Sequence, residues 1–284
     1  MKCCAPLIAA ALAATLGSSD GQTLVDGTNY PGLFGPAGNV TVTPSPLPDG
    51  TLLNVHLGGS KSGSLGTYWT AQADGGAVLG SNLLLLPEVR VAETGAQVAL
   101  SNNGLEFNIS NSPGSILGAL DTGLGLALTW SATATFDAAG QELLLLPNTI
   151  YQVSFDVDGS NGLLNSTLGV VPNFGLEMLD GDGNAISCPA VDGSLVNIIG
   201  LELLGIVGSP PESGRAVVQF GTGASVPGGA AGLRFSGSAV LPATLLGLGT
   251  NFATVSNISV TQVPEPSALA LGLLGGAFAL RRRR

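Results

Sequence analysis

The chain has 284 residues, of which only 10% are charged and 43 are glycine. That length suits one large β domain or two smaller ones, and the low charge excludes coiled coils and ordinary charged cytosolic enzymes. Between Lys2 and Arg281 stand four basic residues (Lys61, Arg90, Arg215, Arg234) and all 19 acids, a balance of −15, so the cationic face that nucleic-acid binding needs is missing.

The N-terminus, residues 1–20, reads as a signal peptide. Lys2 supplies the positive start, residues 5 to 16 the apolar stretch, and Gly17, Ser18 and Ser19 the small residues near a cleavage point. Cys3 and Cys4 precede the apolar stretch and leave with it, so Cys188 stands alone in the mature chain and no internal disulfide forms.

Residues 21–262 read as an all-β domain, an antiparallel β-sandwich or jelly roll. In "YQVSFDVD", Tyr151, Val153, Phe155 and Val157 share one face, and Gln152, Ser154, Asp156 and Asp158 share the other. Leu105, Phe107 and Ile109 repeat the pattern, as do Ala216, Val218 and Phe220, then Leu233 and Phe235, then Ile258 and Val260. Period-2 alternation marks strands buried on one face, and Gly, Asn, Asp and Pro clusters separate the runs. Residues 194–208 are the best helix candidate, weakened by their glycines. "LLLLP" occurs at 83–87 and again at 143–147, preceded by Trp69 and Trp130 and followed each time by an alternating run. Two strand-turn-strand units in facing sheets would explain the echo, and so would coincidence in a leucine-rich chain.

Few residues suggest chemistry. The single histidine, His56, lies in a strand-like run rather than beside a nucleophile, and it is far in sequence from Cys188, which argues against zinc. Asp180, Asp182 and Asn184 alternate as a calcium loop begins, but Ala185 and Val191 occupy the positions where such a loop needs Gly and Glu. An Asp-Gly hairpin turn explains them more simply. Asp156 and Asp158 are similarly ambiguous. The sequence implies no cofactor, and calcium is the one metal it leaves open. No catalytic residues are singled out, so an enzyme is not expected; a polysaccharide hydrolase using an Asp/Glu pair is the alternative. Tyr68, Trp69 and Trp130 are the large aromatics that would either stack on sugars or fill the core.

The C-terminal tail, 263–284, has three parts in order. Val263, Pro264, Glu265 and Pro266 come first, then 14 apolar or small residues from 267 to 280, then Arg281, Arg282, Arg283 and Arg284. The apolar run would make a helix of about 21 Å, short of the ~30 Å hydrocarbon core. The arginines anchor it on the cytoplasmic side as a short transmembrane helix, and they argue against a GPI signal, which ends apolar.

This tail resembles the PEP-CTERM sorting signal of exported proteins in Gram-negative bacteria. The resemblance implies that an exosortase in the inner membrane reads Pro264, Glu265 and Pro266 and cuts the chain there. It further implies transient inner-membrane anchoring, then release to the cell surface or an exopolysaccharide matrix. A permanently anchored envelope protein is the alternative. "LLPNTIYQVSFDVDG" and "ATVSNISVTQVPEP" also resemble strands of exported galactose-binding jelly-roll domains. That resemblance implies a structural or adhesive role, with extracellular polysaccharide as the partner.

Overall fold

The computed structural model describes residues 22–111, 127–136, 143, 145–158, 173–186, 214–226, 232–242 and 251–263. The signal segment, the helix candidate at 194–208, Cys188 and the tail beyond Val263 lie outside the described residues. Among those described, no helix is long and apolar enough to cross a membrane.

The described chain is all β and its strand pairings are antiparallel. In chain order the strands are β1 (Thr23–Val25), β2 (Gly38–Thr41), β3 (Thr51–Leu57), β4 (Ser60–Leu65), β5 (Trp69–Asp74), β6 (Gly76–Asn82) and β7 (Val89–Ser101). They continue as β8 (Gly104–Asn111), β9 (Ala127–Phe136), β10 (Ile150–Asp158), β11 (Asn173–Leu179), β12 (Gly214–Gly221), β13 (Gly232–Pro242) and β14 (Asn251–Gln262). One sheet runs β12-β10-β14-β8-β7-β6-β3, with β1 on β14 and β2 on β7; the other runs β11-β13-β9-β5-β4.

The alternating residues named above face inward and form one core between the sheets. Its centre is aromatic. Phe155 of the larger sheet meets Phe235 of the smaller edge-to-face at 5.2 Å, and Trp69 meets Phe136 at 5.4 Å. These are the offset geometries that ring quadrupoles favour, adding about 0.5–1.5 kcal/mol per pair beyond simple burial.

Two departures from strict alternation have local causes. In β14 the inward residues are Ala253 and Val255, then Ile258 and Val260, so the parity flips between them. Asn257 sits at the flip with φ +50°, and its amide donates to Asp156 Oδ2 at 2.6 Å. A bulge residue that tolerates left-handed backbone and finds a side-chain acceptor resets the face without ending the strand. In β7, the edge toward β6 is handed over to β2: Gly95 pairs with Gly76, and two residues on, Gln97 pairs with Thr41. Backbone bonds from Ala96 N–H to Gly75 O and from Val42 N–H to Ala96 O, both 2.9 Å, fill the gap.

The "LLLLP" echo does not mark equivalent units. The first copy is an exposed turn joining β6 to β7, closed by Leu86 N–H donating to Leu83 O at 2.8 Å. The second precedes β10 and buries Leu143 and Leu145 in the core. The strands that follow, β7 and β10, share the larger sheet rather than facing each other, while Trp69 and Trp130 sit on neighbouring strands of the smaller one. Identical local sequence met different tertiary surroundings, and the surroundings decided.

Trp130 is fully enclosed, with its indole N–H donating to Asn108 O at 3.3 Å. Trp130→Ala should cost about 3–5 kcal/mol, the range for emptying a buried aromatic site. Leu85→Ala, on the exposed turn, should stay within about 0.5 kcal/mol. Urea denaturation monitored by circular dichroism checks both.

Candidate functional site

In a two-sheet sandwich, inward aromatics fix which residues point out. On the smaller sheet the outward residues align across the strands. One row is Ser64, Thr70, Thr135, Arg234 and Glu177; the next is Ser62, Gln72, Thr133, Ser236 and Gly175; a third is Ser60, Asp74, Ser131 and Ser238. Neighbours in a row are direct cross-strand partners, so their Cβ atoms lie about 4.5–5.5 Å apart. Ser62, Ser64, Thr70, Gln72, Thr133, Thr135 and Arg234 of these first two rows line an open groove of about 500 Å³.

The chemistry of the first two rows is nearly uniform: hydroxyls and one amide, with a charged pair at one end. Arg234 donates from both Nε and Nη2 to Glu177 Oε2. Gln72 is oriented by Asp74, donating to its Oδ2 at 3.0 Å. Between the rows the lining is completed by Gly63 and Ala71, the latter with its side chain turned into the core.

A second opening of about 560 Å³ lies beside β1 and the start of β10, between Tyr30, Tyr151, Leu146 and Gln262. The Tyr151 hydroxyl accepts from Leu146 N–H at 2.7 Å. Tyr30 is buried and packs edge-on against Tyr68 (5.4 Å) and Phe136 (5.1 Å). Burial, and then the neighbouring Tyr68, push its phenol above the usual tyrosine range.

The residues expected from sequence are distributed as follows. Trp69 and Trp130 are core residues, and the Trp69 indole donates to Leu33 O at 2.8 Å. Tyr68 packs against the same core at its margin. None of the three faces the groove. His56 stands on β3 opposite Val78. Asp180 closes a hairpin loop, its Oδ1 accepting from Asp182 N–H (3.0 Å) and Asn184 N–H (2.8 Å), which is the turn chemistry of an Asx loop. Asp156 is engaged by Asn257 and lies 3.9 Å from Arg215. Among the described residues, no three His, Cys, Asp or Glu side chains gather as a metal site. Val263 follows β14 directly, and its N–H donates to Ile150 O at 2.8 Å. Pro264, Glu265, Pro266 and Arg281 to Arg284 lie outside the described residues.

No family model matches this chain. No curated protein sequence matches it either. Among solved structures, it overlaps a Stig cyclase from Fischerella sp. TAU, solved with an indole ligand, at 17% identity and a TM-score of 0.32, covering 86% of this chain and 98% of that one. An apo cyclase from Fischerella sp. gives 15% identity and 0.30, covering 81% and 98%. A carbohydrate-binding module solved with beta-1,4-galactotriose gives 13% identity and 0.23, covering 56% and 70%. These are weak likenesses to all-β, jelly-roll-like structures, and the functional reading rests on this chain's own surface.

The groove was missed by sequence reasoning that looked for aromatics and acids. Its signal was the outward half of the same alternation: Thr129, Ser131, Thr133 and Thr135 in "TWSATATF".

Tyr30 supplies a pH prediction. Its folded pKa lies above its unfolded value, so the stability it contributes is complete below the unfolded pKa near 10 and is lost as pH rises through the folded one. Denaturation midpoints should therefore fall above about pH 10, and Tyr30→Phe should flatten that alkaline loss.

Proposed function

We propose that this chain is a non-catalytic, exported protein of the bacterial cell surface or matrix that holds extracellular polysaccharide on the outer face of its smaller sheet. The observation that carries the reading is the in-register array of Ser, Thr and Gln side chains lining the groove. A sugar ring presents hydroxyls at a spacing of a few ångströms. A strand-spaced lattice of groups that both donate and accept meets that pattern. Each such bond is worth about 0.5–1.5 kcal/mol net, and with no aromatic platform among the described residues of the face, affinity for a short sugar is low. A polymer engaging the groove repeatedly, or several copies at once, gains by effective concentration. That suits adhesion better than capture of free sugars.

The export half of the proposal rests on the two ends of the sequence. Pro264 and Pro266 fix φ and disfavour helix in the residues before them, a sequence preference that suits the grip of a processing enzyme.

Two measurements test the two halves separately. On a glycan array, the purified chain should retain neutral polysaccharides. The variant carrying Thr70→Val, Thr133→Val and Thr135→Val should lose at least roughly tenfold in binding, since several hydrogen bonds vanish together. Undiminished retention by that variant removes the groove from the account, and hydrolysis of the polymer by the wild type replaces adhesion with catalysis. In the producing cells, mass spectrometry should find a chain that begins after the first twenty or so residues and ends near Pro264–Pro266. An intact tail would indicate permanent anchoring instead.

A further inference from the structure

At one end of the larger sheet the surface changes character. Leu52 and Leu53 of β3, Leu84, Leu85 and Leu86 of the β6–β7 turn, and Val89 of β7 are all exposed, Leu85 almost entirely at 97% and Leu52 and Leu84 at 77% each. The register makes them neighbours: Thr51 pairs with Asn82, just before the turn, and Ser81 pairs with Val89. From their fractional exposures these six residues offer roughly 700 Å² of surface, beyond the few hundred Å² of contiguous apolar patch that soluble monomers usually show.

We propose that this patch is the contact through which two copies of the chain associate. Three observations select a second copy over other occupants. The first is area: roughly 700 Å² per chain is close to the ~800 Å² each partner contributes to a standard-size interface. The second is charge. The chain carries a net −10, so two copies repel across most orientations. Residues 51–57 and 83–87 carry no Asp, Glu, Lys or Arg and one histidine, His56; at the margin Arg90 lies 2.9 Å from Glu88 and 3.1 Å from Glu93, and Asp49 accepts from the Asn82 side chain at 3.1 Å. An uncharged face is where an acidic chain approaches itself at least cost. The third is composition. A surface that docks on lipid usually adds aromatic or basic residues around its apolar tip; β3 and the turn contain no Trp, Tyr, Phe, Lys or Arg.

The contact is made by side chains rather than by extending the sheet. A register irregularity falls between Thr51 and Asn54, and the Asn54 side chain accepts from Val55 N–H at 2.8 Å, so part of the β3 edge is already occupied. Two-fold association then packs the leucine turn of each copy against β3 of the other, an isologous arrangement that closes at two and does not propagate.

Sedimentation velocity of the purified full chain tests this. The wild type should show a concentration-dependent monomer–dimer equilibrium. Leu53→Glu with Leu85→Glu should weaken it by at least roughly tenfold, because like charges then meet at the centre of an apolar contact. Leu85→Ser, at a side chain that contributes almost nothing to the fold, should weaken it measurably even if the double variant folds poorly. A wild type that stays monomeric at all concentrations overturns the proposal. So does a dimer indifferent to Leu85→Ser and the charged pair. Binding to neutral phosphatidylcholine vesicles by a chain that remains monomeric would assign the patch to lipid and also overturn it.

Discussion

Everything in this domain depends on the packing of one antiparallel sheet against another through interlocked aromatic rings. The described strands contain no cysteine, since the chain's three stand at positions 3, 4 and 188, and they gather no metal cluster. Phe155 of the larger sheet against Phe235 of the smaller, and the Trp130 indole donating across to Asn108 O, join the layers, while Trp69 and Tyr30 pack on Phe136 at the inner face of the smaller sheet. Interior packing is close to crystalline density, so such a core admits one arrangement of its large side chains. The registers of all strands that supply them are fixed with it.

That constraint reaches the outer surface because the strand period is two. A one-residue slip would carry Thr70, Ser131, Thr133 and Thr135 to the inside and Trp69, Ala71, Trp130, Ala134 and Phe136 to the outside. The hydroxyl rows are thus specified by what lies beneath them. Backbone geometry reinforces the specification at the corners. Gly104 opens β8 at φ +137°, and an added Cβ there would strike the Val255 carbonyl. That close approach holds β14 beside β8 in a single register. The groove's backbone positions are accordingly fixed by the core, and Gln72 and Arg234 are further held by Asp74 and Glu177.

Much of this was legible in the sequence. The antiparallel all-β class, the inward faces of β8, β10, β12, β13 and the second half of β14, and the Asp180 turn all follow from alternation and turn chemistry. The parity flip at Asn257 was not, because a bulge depends on a partner, Asp156, that is 101 residues away in sequence. Pairing order was not legible either; nothing local says that Thr135 will sit between Thr70 and Arg234. The repeated "LLLLP" misled for the same reason, since burial of Leu143 and exposure of Leu85 are properties of the assembled fold. Of the three aromatics that would either stack on sugars or fill the core, Trp69 and Trp130 lie in the core behind the polar face and Tyr68 packs at its margin. In effect the sequence advertised the core twice and the site once, in the less conspicuous half of each alternating run.

The claim on which the functional account turns is that neutral polysaccharide lies across the outer face of the smaller sheet. The direct measurement is an NMR titration of the isotope-labelled chain with a neutral oligosaccharide, following backbone and side-chain amide resonances. The account predicts shifts confined to Ser62, Ser64, Thr70, Gln72, Thr133, Thr135 and Arg234. Shifts centred instead on the opening beside Tyr30 and Tyr151, or on the leucine turn, or no shift with any neutral glycan that the chain retains, would contradict it.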